Sequence, residues 1–186
     1  MGPATPETEA ALTVSADGWF RQGQRALPCA LGRGGLTTDK REGDGATPVG
    51  QWPLRRLFWR PDRLDTPPAV GQSGLLVTPI DPAMGWCDDP DHADYNRLVA
   101  LPHPARHETL WRDDGLYDVV VVLGYNDAPP QPRRGSAIFL HCARPDPAAP
   151  HGLSPTAGCI ALPRPDLLAV LAALPLAPTL AVLAPT

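Results

Sequence analysis

No apolar run in this 186-residue chain approaches the ~20 residues that a membrane-spanning helix needs. The opening stretch, Met1 to Ala10, has no basic segment followed by an apolar one, so no secretory signal is visible in it. Surplus positive charge is missing too. The formal net charge is −4, which leaves no electrostatic footprint for nucleic acid. The four cysteines, Cys29, Cys87, Cys142 and Cys159, lack zinc-ribbon spacing, and no segment repeats. Long helices are largely excluded by 25 prolines and 17 glycines, which cut the chain into short elements and loops. The length suits one domain with a substantial core, read as residues 11–186 behind a flexible N-terminus at 1–10.

What remains is mostly strand. Leu12 to Phe20 and Gln24 to Leu31 read as short strands. Gln51 to Trp59 reads as another, placed at a sheet edge by Pro53. Leu75 to Thr78 is a further short strand. Asp118 to Tyr125 is β-branched and continuously apolar, which predicts a strand buried on both faces. In Ala137 to Cys142, alternation puts Ala137, Phe139 and His141 on one face and Ile138, Leu140 and Cys142 on the other. Pro165 to Leu174 is the one clear helix, with Asp166 at its positive end, and Thr179 to Leu183 is a closing strand. The fold class is therefore mainly β with one or a few short helices.

Trp86 to Asn96 is too polar for a core and too aromatic for a bland loop. It reads as a cleft wall in which Trp86 and Tyr95 pack on a substrate and Asn96 hydrogen-bonds it. The alternatives are a surface loop anchored by its aromatics and a calcium site, though the glycine and distal Glu of an EF-hand loop are absent. A Cys29–Cys87 disulfide is open in an oxidising compartment. A metal cluster of His141, Cys142, His151 and Cys159 is disfavoured, because adjacent His and Cys on a strand point to opposite faces.

Chemistry concentrates near the C-terminal end. Cys159 lies in Thr156-Ala157-Gly158-Cys159, eighteen residues after His141. A thiol and an imidazole so framed read as nucleophile and base, the imidazole raising the thiolate fraction. Gly158, without a Cβ, lets backbone amides approach a developing oxyanion. A papain-like peptidase is excluded by order, since its Cys precedes its His.

Residues 138–162 resemble the signature of the YkuD-type L,D-transpeptidases, in which a strand ending in His precedes a Ser/Thr-His-Gly-Cys turn. Here His141, Thr156, Gly158 and Cys159 match it, and Thr47-Pro48-Val49-Gly50 looks like the family's Thr-Pro-x-Gly segment. Ala157 stands where the family has a second His, and Ala161 where it has Arg or Asn. The resemblance implies a β-sandwich-like domain acting as a monomer in the periplasm or cell envelope. It also implies peptidoglycan stem peptides as donor and acceptor, a thioester on Cys159, and no metal or organic cofactor. Thr156, Ala157 and Arg144 join the substrate-binding candidates, with Arg164 and Arg133-Arg134 as further sources of charge. The resemblance leaves two products open, a 1–3 link through L-Ala and a conventional 3–3 link. A silent wall-binding module is the reading from outside the enzyme class. Loss of a cation at Ala161 favours 1–3, because a small leaving amino acid then has no charge to hold its carboxylate.

Overall fold

The computed structural model describes residues 11–185, so the expectation of a flexible segment at 1–10 lies outside the described residues. Fourteen strands and one α-helix make the chain mainly β, as its composition predicts. The first strands are β1 (Leu12–Ser15), β2 (Trp19–Gln22), β3 (Arg25–Pro28), β4 (Leu36–Thr37) and β5 (Thr47–Pro48). Then come β6 (Gly50–Trp59), β7 (Leu76–Pro79), β8 (Met84–Cys87), β9 (Arg97–Ala100) and β10 (His107–Thr109). The remainder are β11 (Val119–Leu123), β12 (Phe139–Cys142), β13 (Ile160–Leu162), helix α1 (Arg164–Ala172) and β14 (Thr179–Val182).

Leu12 to Phe20, read as one strand, is broken into a hairpin. Gly18 at φ +80° turns the chain there, a conformation that suits glycine. Pro53 also behaves differently from the edge expectation. β6 is the central strand of a nine-stranded sheet ordered β13-β12-β11-β6-β14-β1-β2-β3, with β7 added alongside β6. Its first residues pair with β14 and its later ones with β11 and β7. Pro53 sits where the partners change, so its missing N–H costs the sheet little.

β11 is buried on both faces. Val119, Val121 and Leu123 join a core with Leu12, Val14, Phe20, Leu57, Leu140, Leu162, Leu180 and the inner residues of α1, Leu167, Val170 and Leu171. Val120 and Val122 face a second core with Phe58, Trp86, Leu110, Tyr117, Phe139 and Cys159. A three-stranded sheet, β10-β8-β9, covers that second core. It was not evident in the sequence, because its strands are only three or four residues long. The alternation along β12 is as read, with Leu140 and Cys142 in the first core and Phe139 in the second.

All four cysteines are free and buried. Cys29 lies in the first core and Cys87 in a separate cluster with Val99 and Ala105, so the Cys29–Cys87 disulfide that the sequence left open is not formed.

Leu180 is fully buried on β14, between β1 and β6. Leu180→Ala should lower unfolding free energy by about 3 kcal/mol in urea titration at unchanged m-value. The exposed Leu176→Ala should change it by less than about 0.5 kcal/mol.

Candidate active site

Parallel pairing of β12 with β13 matches Leu140 with Ile160 and His141 with Ala161. Cys159, one residue before β13, therefore lies beside Phe139, on the face that also carries His141. Both open onto a cleft of about 610 Å³, as do Thr156, Ala157 and Arg144.

The turn holding Cys159 is tightly specified. Thr156 Oγ1 accepts from Gly158 N–H (3.1 Å) and donates to the Cys159 carbonyl (2.7 Å). Thr47 Oγ1, which accepts from Gly32 N–H at 2.9 Å, donates to the same carbonyl at 3.4 Å. Thr47 thus ties the Thr-Pro-x-Gly segment to the thiol turn. Gly158 has φ +136°, and a Cβ there would lie 2.9 Å from the Ala46 carbonyl oxygen, so only glycine fits. Its own N–H is already engaged by Thr156, which removes it as an oxyanion donor in this conformation. The hydroxyl of Thr156, a substrate-binding candidate by sequence, is likewise used inside the turn.

The thiol is neutral in this geometry. Cys159 Sγ donates to the Ala137 carbonyl (3.2 Å) and accepts from Phe139 N–H (3.4 Å). Burial pushes its pKa up to about 12, and the negative charge of Glu108 adds to the rise. His141 Nδ1 donates to the Cys142 carbonyl at 2.8 Å, and burial lowers the imidazole to about 4. The two side chains share the cleft without a hydrogen bond between them. The expectation that His141 raises the resting thiolate fraction is therefore reversed. The low dielectric disfavours both charged forms.

Trp86, Tyr95 and Asn96 are not among the residues that line the cleft; all three are buried. Asn96 sits at φ +56°, which Asn tolerates well. Its Oδ1 accepts from Trp86 Nε1 (2.9 Å) and Ala137 N–H (3.0 Å), and its Nδ2 donates to the carbonyls of Tyr125 (3.0 Å) and Asn126 (2.8 Å). Ala137 itself has φ +51°, a costly conformation for alanine, and its carbonyl receives the thiol. Asn96 thus acts behind the wall, fixing the residue against which Cys159 rests. Tyr95 donates to Glu42, which also accepts from Ser136 (2.7 Å).

Charged residues that the sequence reading did not assign to the site line the cleft: Arg33, Lys40, Arg106, Arg112, Glu42 and Glu108. Tyr117 donates to Glu108 Oε2 (2.7 Å), and its ring meets His141 edge-on at 5.4 Å. The signal was the polar run Arg112-Asp113-Asp114 next to Tyr117, directly before the strongest strand. Arg112 and Arg144 share Asp114. Arg164 pairs with Asp118, Arg133 with Asp91 and Arg134 with Asp39, all outside the cleft. Ala161 is sealed, its N–H and C=O both paired with Ala30.

Among the described residues, His92, Asp94 and His103 are the group that could hold a metal ion. Their hydrogen bonds speak against it. Nδ1 of His92 accepts from Asp94 N–H (3.1 Å) and Nδ1 of His103 from Ala105 N–H (3.3 Å). Each neutral ring then carries its proton on Nε2, and that of His103 points at Asp94 (3.2 Å).

The YkuD profile, the L,D-transpeptidase catalytic domain, matches residues 11–182. The chain belongs to this family. Among solved structures, an L,D-transpeptidase from Mycobacterium smegmatis is similar, at 12% identity and TM-score 0.45 over 95% of this chain. The alignment spans 59% of that solved chain. No curated protein matches significantly. In this domain the Cys–His pair is buried and lines a cleft whose charged residues come from separate loops and from β10.

Asn96→Ala should cost on the order of 3 kcal/mol, because it leaves Trp86 Nε1 and Ala137 N–H unpaired, and calorimetry would show the loss. A second expectation concerns acid. Between pH 6.5 and about 4 the unfolded chain binds a proton that native His141 refuses, so stability falls as pH drops through that window. Urea titrations across it should show a shallower fall for His141→Asn than for wild type.

Proposed function

We propose that this chain is a cysteine L,D-transpeptidase that joins peptidoglycan stem peptides through a thioester on Cys159, with residues 11–186 acting as one monomeric catalytic domain in the cell envelope. The observation that carries the reading is the placement of His141 on β12 and of Cys159 at the entry to the parallel neighbour β13, both open to one cleft. Donor binding breaks the thiol's bond to Ala137, and His141 takes its proton. Sulfur attacks a carbonyl of L configuration whose nitrogen belongs to a D residue. The imidazolium protonates the leaving amine, and a side-chain amine of a neighbouring stem then displaces the thioester. Cys159 N–H is the donor available to the oxyanion, since Gly158 N–H is held by Thr156.

The donor bond we favour is L-Ala to D-Glu, giving a 1–3 cross-link. Two features support it. Ala161 offers no polar side chain to a leaving D-Ala carboxylate, and three of the four cleft guanidiniums are already paired, Arg112 and Arg144 with Asp114 and Arg106 with Asp88. A longer leaving peptide has other handles, whereas a single amino acid depends on such a charge-assisted bond.

Incubation with tetrapeptide disaccharides and tandem mass spectrometry of the dimers tests this. Cys159→Ser should abolish product while the fold persists. The same change at Cys29, Cys87 or Cys142 should leave clear activity. Dimers joined only between position-three residues, with free D-Ala released, would overturn the 1–3 assignment and keep the cysteine mechanism.

A further inference from the structure

Glu108 has no place in the acylation chemistry, yet it acts on the thiol more strongly than any other charge. It projects from the short strand β10 into the cleft, where burial raises it above the usual carboxylate range. Tyr117 O–H fixes Oε2, while Oε1 makes no hydrogen bond among the described residues. No cation pairs with it. Arg112 stacks over the Tyr117 ring at 4.9 Å, but its donors go to Asp114 at 2.6 and 3.2 Å. Burial raises Glu108, the Tyr117 bond and the positive charge of Arg112 oppose that rise, and the negative charges of Asp88 and Glu42 add to it. A half-buried cleft carboxylate that is held on one oxygen, free on the other and without an ion pair among the described residues is a site for a cation that arrives with a ligand.

Transpeptidation brings such a cation, and this step rests on the function proposed above. The acceptor amine arrives as an ammonium ion and has no lone pair with which to attack a thioester. We propose that Glu108, positioned by Tyr117, binds the acceptor's ammonium and takes its first proton. The ammonium N–H bond breaks and its proton moves to Oε1 of Glu108. The freed nitrogen lone pair forms the C–N bond at the thioester carbonyl, and the C–S bond breaks with its electrons on Cys159. The second nitrogen proton passes through His141 to sulfur, restoring the neutral thiol, and Glu108 returns its proton to water. His141, held at low basicity by burial, serves the sulfur, and Glu108 serves the nitrogen.

The division predicts opposite effects on the two half-reactions. In Glu108→Gln the Tyr117 bond can persist, but the negative charge beside the thiol is gone. Acylation of Cys159 by a stem-peptide donor, followed by intact mass, should become severalfold faster. Transfer from the acyl-enzyme to a stem amine at neutral pH should fall about 100-fold. Transfer to methoxyamine, which is uncharged at neutral pH, should fall only a few-fold. Raising the pH until the stem amine loses its own proton should restore the variant. Glu108→Asp should keep part of the transfer rate. Equal losses with both acceptors, or acylation and transfer falling together, would reduce Glu108 to scaffolding and overturn the proposal. Wild-type protein that forms no acyl-enzyme with stem donors would overturn the transpeptidase reading itself, and this step with it.

Discussion

Parallel pairing between β12 and β13 requires a crossover, since a tight turn can join only antiparallel neighbours. Residues 143–159 make that crossover without an α-helix, with one 3-10 turn at Pro150–Gly152, and Cys159 is where it re-enters the sheet. Much else in the structure serves this join. Two threonines from distant segments clamp the Cys159 carbonyl, and a glycine passes under the Ala46 carbonyl. An asparagine holds Ala137 in a left-handed conformation so that its carbonyl meets the thiol. Thr156 and Gly158 belong to the turn itself, while Thr47 and Asn96 reach it from distant parts of the chain. The position of the sulfur is thus set by its own turn and by tertiary contacts together.

The same burial that positions the site also governs its charges. In a low-dielectric pocket a thiolate–imidazolium pair is costly, so the resting state keeps both groups neutral. Charge is displaced to the rim, where Arg112, Arg144 and Asp114 balance one another and Lys40 pairs with Asp44 at 2.5 Å. Beneath the rim, the fully buried Arg60 stacks on Trp111 at 3.8 Å and donates to the Arg112 carbonyl, so the segment carrying Arg112 and Tyr117 is anchored from inside.

Sequence reasoning reached what periodicity and local chemistry encode. β11 announced itself by five consecutive apolar residues, and β12 by alternation that put His141 and Cys142 on opposite faces. Gly158 and Cys159 were legible because a tight turn with a thiol has few bland explanations. Trp86, Tyr95 and Asn96 stood out correctly as a special group, but on the wrong side of the wall. A segment of mixed polarity looks alike whether its polar atoms meet a ligand or one another. Glu108 was invisible, because a single acid in a three-residue strand carries no pattern. Its place beside the thiol shows only in three dimensions, through the Tyr117 hydroxyl that holds it and the cleft it shares with Cys159.

The sheet is closed by partners far apart in the chain. β1 pairs in parallel with β14, Leu12 against Leu180, and β14 in turn lies against β6. Contacts of that separation form late, since most of the chain must be ordered before they repay the entropy of closure. Until β14 docks, β1 and the first residues of β6 present open edges to solvent and to other chains. Folding speed and the risk of strand exchange between molecules are therefore set at this seam, far from the thiol.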